Sequence, residues 1–223
     1  MSTINVKSEI KPLKEVLVHR PGKELLNLTP DTLHRLLFDD IPYLKVAQAE
    51  HDEFVQILRD NGVKVYYLED LMTETLDFNP EIKKKFLRQF IAEAGVNTPK
   101  YRDLVFDYLM SIEDNKEFVL KTMEGVQIYE LDRNKRVMEK SLVDLVTAET
   151  DFIVEPMPNL YFTRDPFASV GNGIVLNKMY SVTRSRETIY AEYIFNYHPK
   201  FQGEVENYYD CLLYTYPSPR DNE

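Results

Sequence analysis

One stretch of the chain reads Pro158-Asn159-Leu160-Tyr161-Phe162-Thr163-Arg164-Asp165-Pro166. Asn159, Phe162 and Asp165 fall three residues apart and are bracketed by prolines. An amide, an aromatic ring and a carboxylate so close together suit a guanidinium ligand. A carboxylate takes the planar fork with two parallel N–H···O bonds, and an aromatic face covers the cation. The plainer reading of Asp165 is a turn residue, because Asp-Pro is a common turn pair. The spacing of the three side chains weighs against that reading. The histidines offer less. His19 reads as a structural residue at a strand end. His34, His51 and His198 show no ligand spacing, so no metal site is expected.

Composition narrows the classes of function. A chain of 223 residues holds one large domain or two small ones, and 43% hydrophobic residues are enough for a real core. The net charge of -10 argues against nucleic acid or an anionic membrane as partner, where basic patches dominate. It leaves room for a cationic small substrate. No apolar run approaches transmembrane length. Met1 to Lys11 is polar and lacks the apolar core of a signal peptide. Cys211 is the single cysteine, so no disulfide forms within the chain. A soluble, cytoplasmic protein is expected.

The elements that must position the motif are legible from periodicity. Glu15 to His19 reads as a buried strand before Arg20-Pro21-Gly22. Thr29-Pro30 predicts a short helix to about Leu37. Leu44, Ala47, His51, Phe54 and Leu58 recur at helical spacing, with Asn61-Gly62 as the stop, and Val63 to Leu68 is rich in strand formers. Strand, helix and strand in this order argue for a mixed α/β unit. From about Thr73 to Ala148 strand-like runs nearly vanish, which predicts an all-helical insertion. Its helices carry Phe86, Phe90 and Ala94, then Leu104, Tyr108 and Ile112 after Thr98-Pro99, then Phe118 and Thr122, with a fourth at Ser141 to Val146. Strands are expected again at Phe152 to Val154 and Tyr161-Phe162. A hairpin is expected around Gly171-Asn172-Gly173, and a helix from Arg186 to His198.

The proline-bracketed motif closely resembles the signature of arginine deiminases, enzymes that hydrolyse free L-arginine to L-citrulline and ammonia. The resemblance runs from the N-terminus to about Asp210. It implies an α/β fold, a propeller of five ββαβ blades with an inserted all-helical subdomain, of which this chain would hold a partial share of about two blades. On that reading residues 1–72 begin the propeller, 73–148 are the insertion, 149–210 continue the propeller, and 211–223 are a disordered tail. The resemblance implies that Asp165 binds the guanidinium and serves in acid–base steps. Asn159 would hold the amino-acid end of the substrate and Phe162 would wall the guanidinium pocket. Arg184, which alone would read as a surface charge, would grip the substrate α-carboxylate with its bidentate fork. Glu187 would either hold Arg184 or simply occupy a first helical turn, where acids are favoured. Leu36-Leu37-Phe38-Asp39-Asp40 resembles a segment near the site entrance, with the Leu37 carbonyl and Asp40 meeting the substrate or a gating arginine. No cofactor is implied. L-arginine would be the small-molecule partner, and a homo-oligomer is expected at full length.

The family reaction needs a cysteine thiolate, a histidine and a second carboxylate. The resemblance places all of them beyond the point where this chain departs from the family pattern, so Cys211 is not read as the nucleophile. Cys211 to Asp221 resembles instead the translation of a sequencing-library adapter, which implies a gene that continues. Two alternatives remain: another guanidino-group enzyme such as an amidinotransferase, and a non-catalytic arginine-binding remnant.

Overall fold

The computed structural model describes residues 4–134, 152–203 and 206–210. Strand β1 (Glu15–Val18) and strand β2 (Lys64–Tyr67) pair in parallel, with Leu17 opposite Tyr66. A parallel pair needs a long crossover. Here it contains a 3₁₀ turn (Lys23–Asn27), the short helix α1 (Leu33–Leu36) and the long helix α2 (Leu44–Asp60). Helix α2 ends as its sequence expects. Gly62 takes a φ of 74°, and the amide of Val63 donates back to the Leu58 carbonyl at 3.0 Å.

Helix α1 begins later than Thr29-Pro30 suggests. The Thr32 hydroxyl donates to the Thr29 carbonyl at 3.0 Å and accepts from the Thr29 amide at 2.9 Å. These local bonds hold a turn where the first helical turn was expected. Leu37 then closes α1 in the left-handed region, at φ 63° and ψ 41°.

Four further helices follow: α3 (Leu68–Phe78), α4 (Glu81–Glu93), α5 (Pro99–Met110) and α6 (Asn115–Glu124). Pro99 opens α5 at its first turn, where a missing N–H costs nothing. Asp114 caps α6 by accepting from the Glu117 amide at 2.7 Å. The short strand β3 (Val126–Gln127) and helix α7 (Ile128–Asn134) come next, and β3 pairs antiparallel with β4 (Phe152–Val154). The helix expected at Ser141 to Val146 lies outside the described residues.

Gly125 makes the α6-to-β3 corner possible. Its φ is 89°, and an added Cβ would stand 2.6 Å from the Val154 carbonyl oxygen and 2.8 Å from the Pro156 nitrogen. Gly125→Ala is expected to cost at least about 2 kcal/mol, from backbone strain and overpacking together. A denaturant midpoint within error of the parent would show that this corner can relax.

The expected strand at Tyr161-Phe162 does not form. Residues 160–165 fold as successive turns, with the Phe162 amide donating to the Asn159 carbonyl at 3.0 Å and the Asp165 amide to the Phe162 carbonyl at 3.1 Å. Prolines at 156, 158 and 166 remove the donors a ladder would need. The hairpin does form. Strand β5 (Phe167–Val170) and strand β6 (Gly173–Leu176) pair antiparallel, with Val170 opposite Gly173 and Gly171 at φ 57° in the loop. Strand β7 (Glu206–Asp210) adds in parallel to β6. A 3₁₀ turn (Val182–Glu187) leads into helix α8 (Thr188–Tyr197), two residues later than the sequence suggests.

The fold is thus mixed α/β, with two two-stranded sheets and one three-stranded sheet among the described residues. None of them closes on itself. Among the described residues the smaller of two apolar clusters gathers Leu25, Leu28 and Leu36, and the larger runs from Leu68 through Phe86 and Phe118 to Leu176 and Phe201. Phe86 sits at its centre, with ring centroids 5.2 Å from Tyr193, 5.6 Å from Tyr190 and 6.0 Å from Phe118. The buried Tyr190 hydroxyl meets the Thr122 hydroxyl at 3.0 Å, and the Tyr193 hydroxyl donates to Gln89 at 2.9 Å, so both polar ends are satisfied. No described helix is long and apolar enough to cross a membrane.

Candidate functional site

Two segments distant in sequence meet at the motif. The buried Asn159 side chain donates to the Leu36 carbonyl at 2.8 Å, and the Thr163 hydroxyl donates to the Leu17 carbonyl at 3.1 Å. These bonds fix the proline-bracketed turns against both α1 and β1. Phe38 meets Tyr161 edge-on at 6.5 Å, and Tyr161 lies 4.1 Å from Phe162, centroid to centroid. The aromatic row ends at Arg184, whose guanidinium carbon stands 5.9 Å from the Phe162 centroid.

Asp165 and Arg184 face each other. Arg184 Nη1 donates to Asp165 Oδ2 at 2.8 Å. The side chains are 12% exposed for Arg184 and 47% for Asp165, so the cation is rooted in the fold and the carboxylate reaches solvent. Behind the arginine, Glu187 accepts from Nε at 3.0 and 3.1 Å and from Nη2 at 2.8 Å. Burial pushes the Glu187 carboxyl up, against the pull of Arg184. Burial works against the charged form of Arg184, yet Glu187 and Asp165 hold it above its ordinary range.

The structure separates Arg184 from its near neighbour Arg186. Arg186 is buried, donates to the Glu155 carbonyl at 3.0 Å and lies 5.5 Å from the Phe90 centroid. It belongs to the core, whereas Arg184 faces the half-exposed Asp165. Arg164, within the motif, turns outward to Glu9.

The sequence-derived candidates therefore divide. Asp165, Phe162 and Arg184 are brought together, and Asn159 is tied to the backbone beside them. Leu37 directly follows Leu36, the residue Asn159 holds, and its left-handed backbone is the one such non-glycine conformation among the described residues. Strain of this kind costs on the order of 1–3 kcal/mol and concentrates at functional sites. Asp40 is exposed, and its carboxylate accepts from the Ile41 amide at 2.7 Å. No contact joins it to Asp165 or Arg184.

One residue of this corner escaped the sequence reading. Asn177 donates from its side chain to the Asp165 carbonyl at 2.9 Å, and from its amide to the Pro166 carbonyl at 2.9 Å. The hairpin register was the available signal: Phe167 pairs with Leu176, so the residues just beyond the pair must also meet.

His19 lies elsewhere, at the end of β1. It is buried between Glu69, 2.8 Å from Nδ1, and Glu24, 3.0 Å from Nε2. This is a structural bridge from β1 to α3, in keeping with the structural role expected for a histidine at a strand end. Among the described residues no group of three or more His, Cys, Asp or Glu side chains is placed to hold a metal ion.

A turn-built carboxylate, an anchored arginine and an aromatic ring thus meet on a mixed α/β frame. Comparison with known proteins is specific. The arginine deiminase family model matches residues 34–217, past Asp210, where the sequence resemblance was read to end. An arginine deiminase of Treponema denticola is 56% identical over 210 residues, covering 94% of this chain and 50% of the relative. One of Streptococcus agalactiae serotype Ia is 53% identical, covering 93% and 50%, and one of Clostridium perfringens is 54% identical, covering 90% and 48%. The chain belongs to the arginine deiminase family. It spans about half the length of the curated relatives it matches.

Proposed function

We propose that the protein to which this chain belongs is an arginine deiminase, hydrolysing L-arginine to L-citrulline and ammonia in arginine breakdown. The observation that carries this reading is the opposition of Asp165 and Arg184 beside Phe162. L-arginine has a guanidinium at one end and a carboxylate at the other, and this corner offers a partner for each. Asp165 takes the guanidinium and shuttles protons to and from its nitrogens. Phe162 covers the cation. Arg184 and Asn159 hold the amino-acid end, with the Leu37 carbonyl and Asp40 at the entrance.

The reaction is a substitution at the guanidinium carbon. A thiolate adds to that carbon, a C–N bond breaks, and ammonia leaves with a proton supplied by an acid. Water then adds, and the C–S bond breaks to release citrulline and regenerate the thiolate. The residues of this chain bind and orient the substrate and move protons at Asp165. The thiolate and its histidine belong, on the family pattern, to the remaining length of the protein. That remainder would also complete a propeller around the site, with residues 73–148 as its insertion and residues 149–210 returning to the propeller; the insertion is not all-helical as expected, since it carries strand β3. A homo-oligomer acting in the cytoplasm, with no cofactor, completes the reading.

The test is citrulline formation from L-arginine by the complete protein. Absence of citrulline, with calorimetric binding of arginine retained, would support a non-catalytic binder. In the complete enzyme Arg184→Ala is expected to raise the KM for L-arginine about 10- to 100-fold, the loss of a charge-assisted pair. Agmatine, which lacks the α-carboxylate, should lose far less. An equal loss on both would contradict the role given to Arg184.

A further inference from the structure

Arg184 touches two carboxylates that differ in kind. Glu187 is 1% exposed at its side chain and Asp165 is 47% exposed. Arg184 and Glu187 lie three residues apart on one 3₁₀ turn, where such positions eclipse. The carboxylate therefore grips the guanidinium by its Nε–Nη2 edge and leaves the end carrying Nη1 directed at Asp165. A buried ion pair contributes little net stability, because two charges lose their water. What it does supply is a fixed direction for the fork.

Asp165 and Arg184 are partnered with each other. The guanidinium of Arg184 stands at Asp165, where the substrate guanidinium is to bind. The carboxylate of Asp165 stands at Arg184, where the substrate α-carboxylate is to bind. A ligand with both charges replaces both halves of the pair. A ligand with the cation alone separates the pair and leaves Arg184 without a partner for Nη1. The charged ends of L-arginine lie several bonds apart, so one side chain must move to admit it. Arg184 is held by Glu187 with three contacts, whereas the Asp165 carboxylate is half-exposed, so Asp165 is the one that swings.

We propose that Glu187 is a positioning residue which sets the selection for a zwitterionic substrate, by fixing Arg184 while Asp165 opens. The proposal rests on the deiminase reading above. Glu187 itself touches no substrate.

The test uses the complete protein and its Glu187→Gln and Glu187→Asp variants. It reads kcat and KM for L-arginine and the inhibition constant of agmatine. Glu187→Gln is expected to raise the KM for L-arginine about 10-fold or more, the scale of one charged hydrogen bond, with a smaller change in kcat. The agmatine constant should move by less than about threefold, since agmatine never uses the fork. Glu187→Asp keeps the charge and should fall between parent and Gln. If the Gln variant does not fold, the Asp variant carries the same comparison. An unchanged KM, or equal losses for both ligands, overturns the positioning role. A parent protein that turns over no L-arginine defeats the deiminase reading, and the proposal with it, before any variant is made.

Discussion

Replacing Asp165 with alanine is expected to lower L-arginine turnover by the complete protein about 10²- to 10⁴-fold, the range for losing a positioned acid–base group. The carboxylate has the freedom the role requires. Its backbone is pinned from both sides, by Asn177 on the carbonyl and by the turn bond from its amide to Phe162. Among the described residues its side chain has a single charged partner, Arg184, and it reaches solvent. The loss should fall on kcat through the proton steps and on KM through the guanidinium contact. Asp165→Asn is the sharper comparison, since it keeps shape and removes the proton-accepting charge. Citrulline production within about threefold of the parent for either variant would remove Asp165 from the mechanism.

Replacing His19 with leucine should have the largest effect on stability, about 3–5 kcal/mol. Removing one partner from a buried charge cluster leaves uncompensated charge behind. His19 is 1% exposed and stands between two buried carboxylates. Glu24 also accepts from the Gly22 amide at 2.6 Å, so it cannot simply turn away. Burial works against a charged imidazole, but the bonds to Glu24 and Glu69 outweigh it and raise His19 from 6.5 to about 9. A raised histidine stabilises the fold fully below its unfolded value and loses that contribution as pH rises through its folded value. Melting temperature should therefore decline between about pH 6.5 and 9. Glu69, held below its ordinary range against the cost of burial, adds an opposite loss in acid. The leucine variant should melt lower at neutral pH and lack the alkaline decline. A parent whose melting point is flat from pH 6.5 to 9 would show that His19 is neutral in the fold.

Much of the frame was legible in the sequence because it is local. The apolar period of α2, Pro99 at the start of α5 and the Gly171-Asn172 loop each announce themselves within a few residues, whereas the Asp114 cap of α6 emerged only from the structure. Helix α3 did not, since β2 runs straight into it at Leu68 with no glycine or proline between. Tyr161-Phe162 looked like a strand by residue type, and the surrounding prolines decided otherwise. At the candidate site, the three-residue spacings of Asn159, Phe162 and Asp165, and of Arg184 and Glu187, could be read directly. Their roles came from the family resemblance. The bridge from His19 to Glu69 spans 50 residues, and no local pattern connects its ends.

The two bonds that dock the motif also bear on how the molecule reaches its native state. Asn159 to Leu36 closes a loop of 123 residues, and Thr163 to Leu17 one of 146. Closing such loops costs entropy that only a formed core can offset, so contacts of this separation come late in folding. During synthesis the helices from α2 to α6 are translated before Asn159. The emerging chain must therefore wait, with the Leu36 and Leu17 carbonyls unclaimed by these partners, until the motif arrives to join them.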